Sequence, residues 1–152
     1  MRYDSSDESR QHWGSKVFPK SGSPIVNYPV QQLERGTIKN VRTNGRYKRF
    51  ARALKSAENQ LVRDGTIADL PSYFMECLIW NLPASTLTTG ENLADGFEAV
   101  LIWLWNELKE DSYTRTNWEE PNGLKYLFHD EAKWKPDDAR ALVLATWQYL
   151  DY

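Results

Sequence analysis

Between Arg35 and Lys55 the chain places eight Lys or Arg residues and not one acid. Tyr47, Phe50, Leu54, Ala57 and Leu61 recur through and beyond this stretch at steps of three and four, so they form one apolar helical face. Lys48, Arg52 and Lys55 recur at the same steps on another face, with Arg46 and Arg49 beside them. A helix of this kind belongs at the edge of a core, with one side packed and another crowding cations outward. Outside the window the chain carries 11 basic against 21 acidic residues, so the net charge of −2 hides a basic segment on an acidic background. Two readings account for the pattern: a face built to meet an anion, or a solvated basic face balanced by the acids around it.

At 152 residues the chain fits one domain. Seven Trp, eight Tyr and five Phe supply enough large apolar area for a core. No apolar run approaches the ~20 residues needed to span a bilayer, and the N-terminus lacks an apolar signal region. Cys77 is alone, which excludes an internal disulfide and fits a cytoplasmic protein with no membrane partner. Its apolar neighbours read it as a small core residue.

The pattern predicts a mainly α fold, a bundle of about four main helices with a short N-terminal β-hairpin. Residues 1–14 are polar and aperiodic and read as a flexible arm. The domain then spans 15–152, with the hairpin over 16–28. Pro19, Pro24 and Pro29 make that hairpin an edge or an appendage. Val30 to Arg42 reads as a connector with one helical turn over 31–35, ended by Gly36. Thr43 or Asn44 can cap the basic helix, which runs to about Arg63 before the Asp64-Gly65 stop signal.

A second helix spans about 70–81, with Pro71 at its first position and Glu76 in a mostly buried segment. Glu76 is expected to accept hydrogen bonds from a neighbouring Arg or a helix end, as a buried charge must. Ala84 to Gly90 reads as a polar loop. A third helix covers 91–109, with Leu93, Phe97, Val100, Leu101, Leu104 and Leu108 inward. Glu110 to Pro121 is irregular, anchored by Trp118, and residues 122–128 form a short apolar element. Pro136 opens the last helix, with Ala139, Leu142, Val143, Thr146, Trp147 and Leu150 inward.

Most catalytic signatures are missing. His12 and His129 have no ligand partners at metal spacing, so no metal site is assigned. There is no Gly-x-Ser-x-Gly elbow and no Gly-x-x-x-x-Gly-Lys-Ser/Thr loop. The pairs Glu119-Glu120 and Asp137-Asp138 read as solvent charge and dipole complement. What remains is the basic helix, with Ser72 and Tyr73 at the start of the next one. A helix start offers free backbone N–H groups to an anion, and a Ser hydroxyl adds a donor.

Several stretches together resemble the carboxy-terminal half of bacterial nucleotidyltransferases of the CD-NTase family, which share a fold with oligoadenylate synthetase and cyclic GMP-AMP synthase. They are Ile25-Val26-Asn27-Tyr28-Pro29, Thr43-Asn44-Gly45-Arg46-Tyr47-Lys48-Arg49 and Leu54-Lys55. Leu70-Pro71-Ser72-Tyr73, Glu76 to Pro83, and Leu124-Lys125-Tyr126-Leu127-Phe128 before Trp134 complete the set. The resemblance runs from about Ile25 to Leu150. It implies a two-lobed enzyme that makes cyclic or linear oligonucleotide second messengers in antiphage defence. By that resemblance Lys55, Ser72 and Tyr73 contact the donor triphosphate, with Lys48 and Arg52 beside them. Mg-nucleoside triphosphate is implied for the complete enzyme, with no cofactor bound by this chain alone.

The family's Gly-Ser turn followed by Asp-x-Asp is absent: neither Gly14-Ser15 nor Gly22-Ser23 leads into an acid pair. Two-metal phosphoryl transfer needs several converging carboxylates. No catalytic residue is therefore assigned, and the chain is expected to be inactive alone. Three roles stay open: a nucleotide-binding lobe needing a catalytic lobe in trans, a non-catalytic remnant that binds or sequesters nucleotides, and a basic nucleic-acid interaction module. A lobe without its companion should expose apolar surface, which predicts a partner chain or a homo-oligomer.

Overall fold

The computed structural model describes residues 2–3, 12–22, 24–109, 117–129 and 134–152. Among the described residues, four short strands come first: β1 (Arg2–Tyr3), β2 (His12–Trp13), β3 (Ser15–Val17) and β4 (Ile25–Asn27). Six helices follow among the same residues: α1 (Pro29–Arg42), α2 (Arg46–Arg63), α3 (Ser72–Trp80), α4 (Ala84–Leu87), α5 (Leu93–Glu107) and α6 (Pro136–Tyr149). The fold is mainly α, with the expected hairpin near its start. β3 and β4 pair antiparallel, Ser15 opposite Asn27 and Val17 opposite Ile25. Within the stretch expected as an arm, β1 and β2 also pair antiparallel. Residues 1 and 4–11 of that stretch, and 110–116 of the irregular segment, lie outside the described residues.

α2 is the central helix and packs against α1, α3, α5 and α6. Its predicted stripe is its buried face: Tyr47, Phe50, Leu54, Ala57 and Leu61 are all at most 4% exposed. Its end carries the expected glycine signal. Gly65 takes φ +72°, and Thr66 N–H reaches back to the Leu61 carbonyl, closing the helix by the bonds a left-handed glycine permits. The N-cap position falls on Gly45 and not on Thr43 or Asn44, but Thr43 Oγ1, two residues earlier, still accepts from Tyr47 N–H at 3.1 Å. Gly45, φ +78°, turns the chain from α1 into α2, a backbone that larger side chains adopt with strain.

The structure corrects several local readings. Val30 to Arg42 is not a connector with one turn; α1 is helical throughout, and Gly36 lies buried inside it. A glycine stops a helix only where the chain turns left-handed. Here Gly36 instead lets α1 lie close to α2 and α3, where an added Cβ would stand 3.7 Å from both Glu76 Oε1 and the Tyr47 ring. Pro71 sits just outside α3, in extended backbone. The 84–90 loop contains the short helix α4, which buries Leu87. Leu93 is 44% exposed and Leu150 36%, because each falls at an end where its helix has left the core.

α3 is buried through Phe74, Met75, Cys77, Leu78 and Ile79. Phe74 stacks on Trp134 at 5.0 Å, and Trp103 stacks on the buried Trp118 at 5.7 Å. Asn81 fixes the 117–128 segment through its side chain. Its Nδ2 donates to the Glu119 carbonyl, and its Oδ1 accepts from Glu119 N–H. Among the described residues, no helix is long and apolar enough to cross a membrane.

Candidate functional site

The basic face of α2 does not look onto open solvent alone. α1 lies along one side of it and the N-terminus of α3 closes one end, leaving a cleft of about 590 Å³. α2 contributes Lys48, Ala51, Arg52 and Lys55, at the steps of three and four that put them on one side of a helix. α1 contributes Pro29, Gln32, Leu33 and Gly36, and α3 contributes Ser72 and Glu76.

Three cations and one acid line the cleft. Among the described residues no acid pairs with Lys48 or Arg52. Lys55 is tied down: its ammonium donates to Glu58 Oε2 and to the Leu70 carbonyl, both at 2.7 Å. Ser72 is exposed at the first position of α3, and no acceptor among the described residues takes its backbone N–H or that of Tyr73. Glu76 Oε1 accepts from the Tyr47 hydroxyl at 3.2 Å. Its partner is thus a tyrosine, not the arginine or helix end expected. The Tyr47 hydroxyl is pushed far above its ordinary range, by burial first and then by the Glu76 charge and hydrogen bond.

Of the five residues singled out in the sequence, Lys48, Arg52, Lys55 and Ser72 line this one cleft. The Tyr73 side chain does not. Its hydroxyl donates to Glu120 Oε2 at 3.1 Å, and its ring packs edge-on against Trp134. Burial, with Cys77 and Glu120 beside it, raises its hydroxyl's pKa well beyond the ordinary 10.0. Only its backbone N–H belongs to the α3 terminus. Cys77 is buried, and burial holds its thiol protonated. Among the described residues, no three His, Cys, Asp or Glu side chains are placed so that they could hold a metal ion.

Two contributors escaped the sequence reading. The α1 wall was hidden by taking Gly36 as a stop. Glu58 was legible: it follows Leu54 by four and Lys55 by three, an acid on the buried stripe of α2 and within reach of a lysine.

Bundle and cleft together define a helical lobe with a cationic groove. The chain belongs to the cGAS/DncV-like nucleotidyltransferase C-terminal helical domain family, which matches residues 34–151. It is 34% identical over 139 residues to the cyclic dipyrimidine nucleotide synthase CdnE of Legionella pneumophila, covering 90% of this chain and 45% of that protein. The structure of Elizabethkingia meningoseptica CdnE cyclic dinucleotide synthase with GTP and Apcpp is similar at TM-score 0.88 and 28% identity, over 100% of this chain and 55% of that one. Rhodothermus marinus CdnE c-UMP-AMP synthase with Apcpp and Upnpp is similar at TM-score 0.80 and 29% identity, over 97% and 49%. The chain spans about half the length of these relatives and matches the helical half of cyclic dinucleotide synthases.

Proposed function

We propose that this chain is the nucleotide-holding lobe of an oligonucleotide second-messenger synthase, and that its cleft grips the polyphosphate of a donor nucleoside triphosphate. The observation that carries this reading is the convergence of Lys48, Arg52, Lys55 and Ser72 on one groove. That groove lies in a fold shared with a synthase whose structure holds GTP and Apcpp. Lys48 and Arg52, which pair with no acid among the described residues, offer charge, while Lys55, Ser72 and the first N–H groups of α3 offer directed donors. Their task is to bind and orient. The carboxylates for two-metal phosphoryl transfer would come from a catalytic lobe, which is the partner this reading requires. Apolar side chains on the outer side of α1 and on the hairpin support such a partner: Ile38 is 52% exposed, Val41 72% and Phe18 67%.

Titration of the 152-residue chain with ATP, with and without magnesium, tests the binding. Ser72→Ala and Lys55→Gln should each weaken ATP binding about tenfold, the loss of one charge-assisted contact of ~1.4 kcal/mol. Unchanged affinity in both variants would remove the cleft as the site. Oligonucleotide synthesis from triphosphates by the purified chain alone would overturn the division of labour between lobes.

A further inference from the structure

Glu58 is a carboxylate with no exposed surface, on the inner face of α2. Its two oxygens serve two different elements. Oε2 accepts from the Lys55 ammonium at 2.7 Å, and Oε1 accepts from the Leu70 backbone N–H at 2.8 Å. Lys55 closes the ring by donating to the Leu70 carbonyl. Leu70 is two residues before Ser72, the start of α3. One buried acid thus holds both the cation at the cleft wall and the chain that carries the α3 N-terminus. Two of the three Lys55 ammonium protons are committed in this ring, and the remaining direction is left to the cleft.

We infer that Glu58 is the positioning residue of the polyphosphate site: it sets Lys55 and the α3 N-terminus at a fixed separation, so that both meet one phosphate chain. This rests on the reading of the cleft as a polyphosphate site. Its logic is opposite to that of simple charge. A carboxylate beside an anion site repels the anion, so neutralising it should tighten binding if Coulomb attraction alone mattered. If Glu58 acts by placing donors, neutralising it should weaken binding, because Lys55 and the 66–71 segment lose their common anchor. A purely structural acid would change stability and leave the affinity of the folded chain alone.

The sign of one substitution therefore decides. In Glu58→Gln the amide oxygen can keep the Leu70 N–H, but the amide nitrogen cannot accept from Lys55. Affinity for ATP and for inorganic tripolyphosphate, measured by calorimetry on the full chain, should fall about tenfold. Leu70 amide hydrogen exchange in the ligand-free chain should stay close to wild type in this variant and speed up severalfold in Glu58→Asp, whose shorter side chain cannot reach both Lys55 and the Leu70 N–H. In a Lys55→Gln background the same substitution should change affinity less than twofold, because the lysine it places is gone. Tighter or unchanged binding, or an equal loss in both backgrounds, overturns the inference. Glu58→Asp, which keeps the charge but cannot span both partners, should also bind more weakly; it carries the test if the glutamine variant does not fold. A wild-type chain that takes up neither ATP nor tripolyphosphate defeats the cleft reading. The Leu70 exchange, which needs no ligand, still reports whether Glu58 anchors α3: unchanged exchange in Glu58→Asp would overturn the anchoring role on its own.

Discussion

The two sides of α2 are held by different physics. Towards α5 and α6 the contacts are mostly apolar and non-directional: Val100, Leu101, Leu104, Leu142 and Val143 are at most 1% exposed. Towards α1 and α3 the helix is fixed by directed polar bonds set among apolar contacts. Thr43 accepts from Tyr47 N–H, Asn40 Oδ1 from Lys48 N–H, and Glu58 joins Lys55 to Leu70. Lys39 reaches from α1 to the carbonyls of Trp80 and Leu82 at the end of α3. An apolar interface tolerates small slides, whereas a hydrogen bond is confined to a narrow range of distance and angle. The side that carries the proposed polyphosphate cleft is the side built from bonds that fix distance. Damage to the first side should cost the fold, and damage to the second should cost binding.

The sharpest break of that comparison is a pair of substitutions with crossed effects. Leu104→Ala removes a fully buried side chain from α5 and should lower unfolding free energy by about 2–5 kcal/mol, read by urea denaturation. ATP affinity of the folded fraction should not change. Arg52→Ala should do the reverse. Arg52 is exposed on the cleft wall with no acid partner among the described residues, so stability should stay within about 0.5 kcal/mol, while ATP affinity drops about tenfold, or ~1.4 kcal/mol. If Leu104→Ala weakens binding as much as Arg52→Ala does, the two sides are not separable.

These contrasts also explain what could be read from the sequence. α2 was legible because two periodicities, one apolar and one basic, share a single run of 18 residues. α1 was not, because its inner side is made of Gly36, Lys39 and Asn40, while Ile38 and Val41 point outward and Leu33 lines the cleft. Its packing is polar and close, and it leaves no apolar stripe toward the core. The α2 side of the cleft can be drawn from cation spacing; the α1 wall opposite cannot. Tyr73 illustrates a smaller point. Ser72 and Glu76 are four apart and share a face, so a residue one step on from Ser72 turns away by about 100°. That geometry sends the Tyr73 ring toward Trp134.

Alkaline pH should probe groups on both faces of α3. Cys77, Tyr47 and Tyr73 all hold their protons above the ordinary values of 9.0, 10.0 and 10.0, chiefly through burial. A raised folded pKa gives stability that is complete below the ordinary value and is lost as pH climbs from there toward the folded one. Lys39 works in the opposite sense. Burial lowers it to about 8 from 10.5, so the folded chain sheds that proton first and the Lys39 contribution rises across that window. Three groups outweigh one, and the melting temperature should fall from about pH 9 upward. Tyr73→Phe should flatten that fall. A melting temperature constant to pH 10.5, or a slope unchanged by Tyr73→Phe, would contradict the assignment.

The smallest expected effect lies on the apolar side and has the opposite sign. The Thr146 hydroxyl is buried in α6 with no hydrogen-bond partner among the described residues. An unpaired buried hydroxyl carries its desolvation cost with nothing to offset it. Thr146→Val keeps the shape and the branched Cβ while removing the polar atom, so helix propensity hardly changes. Unfolding free energy should rise by about 1 kcal/mol, with ATP affinity untouched. The matching change on the polar side, Thr43→Val, should lose stability instead, because Thr43 Oγ1 both donates to the Lys39 carbonyl and accepts from Tyr47 N–H. Two threonines of equal burial and the same substitution would then give opposite signs. Equal signs would mean that directed bonding does not distinguish the α1–α3 side from the α5–α6 side.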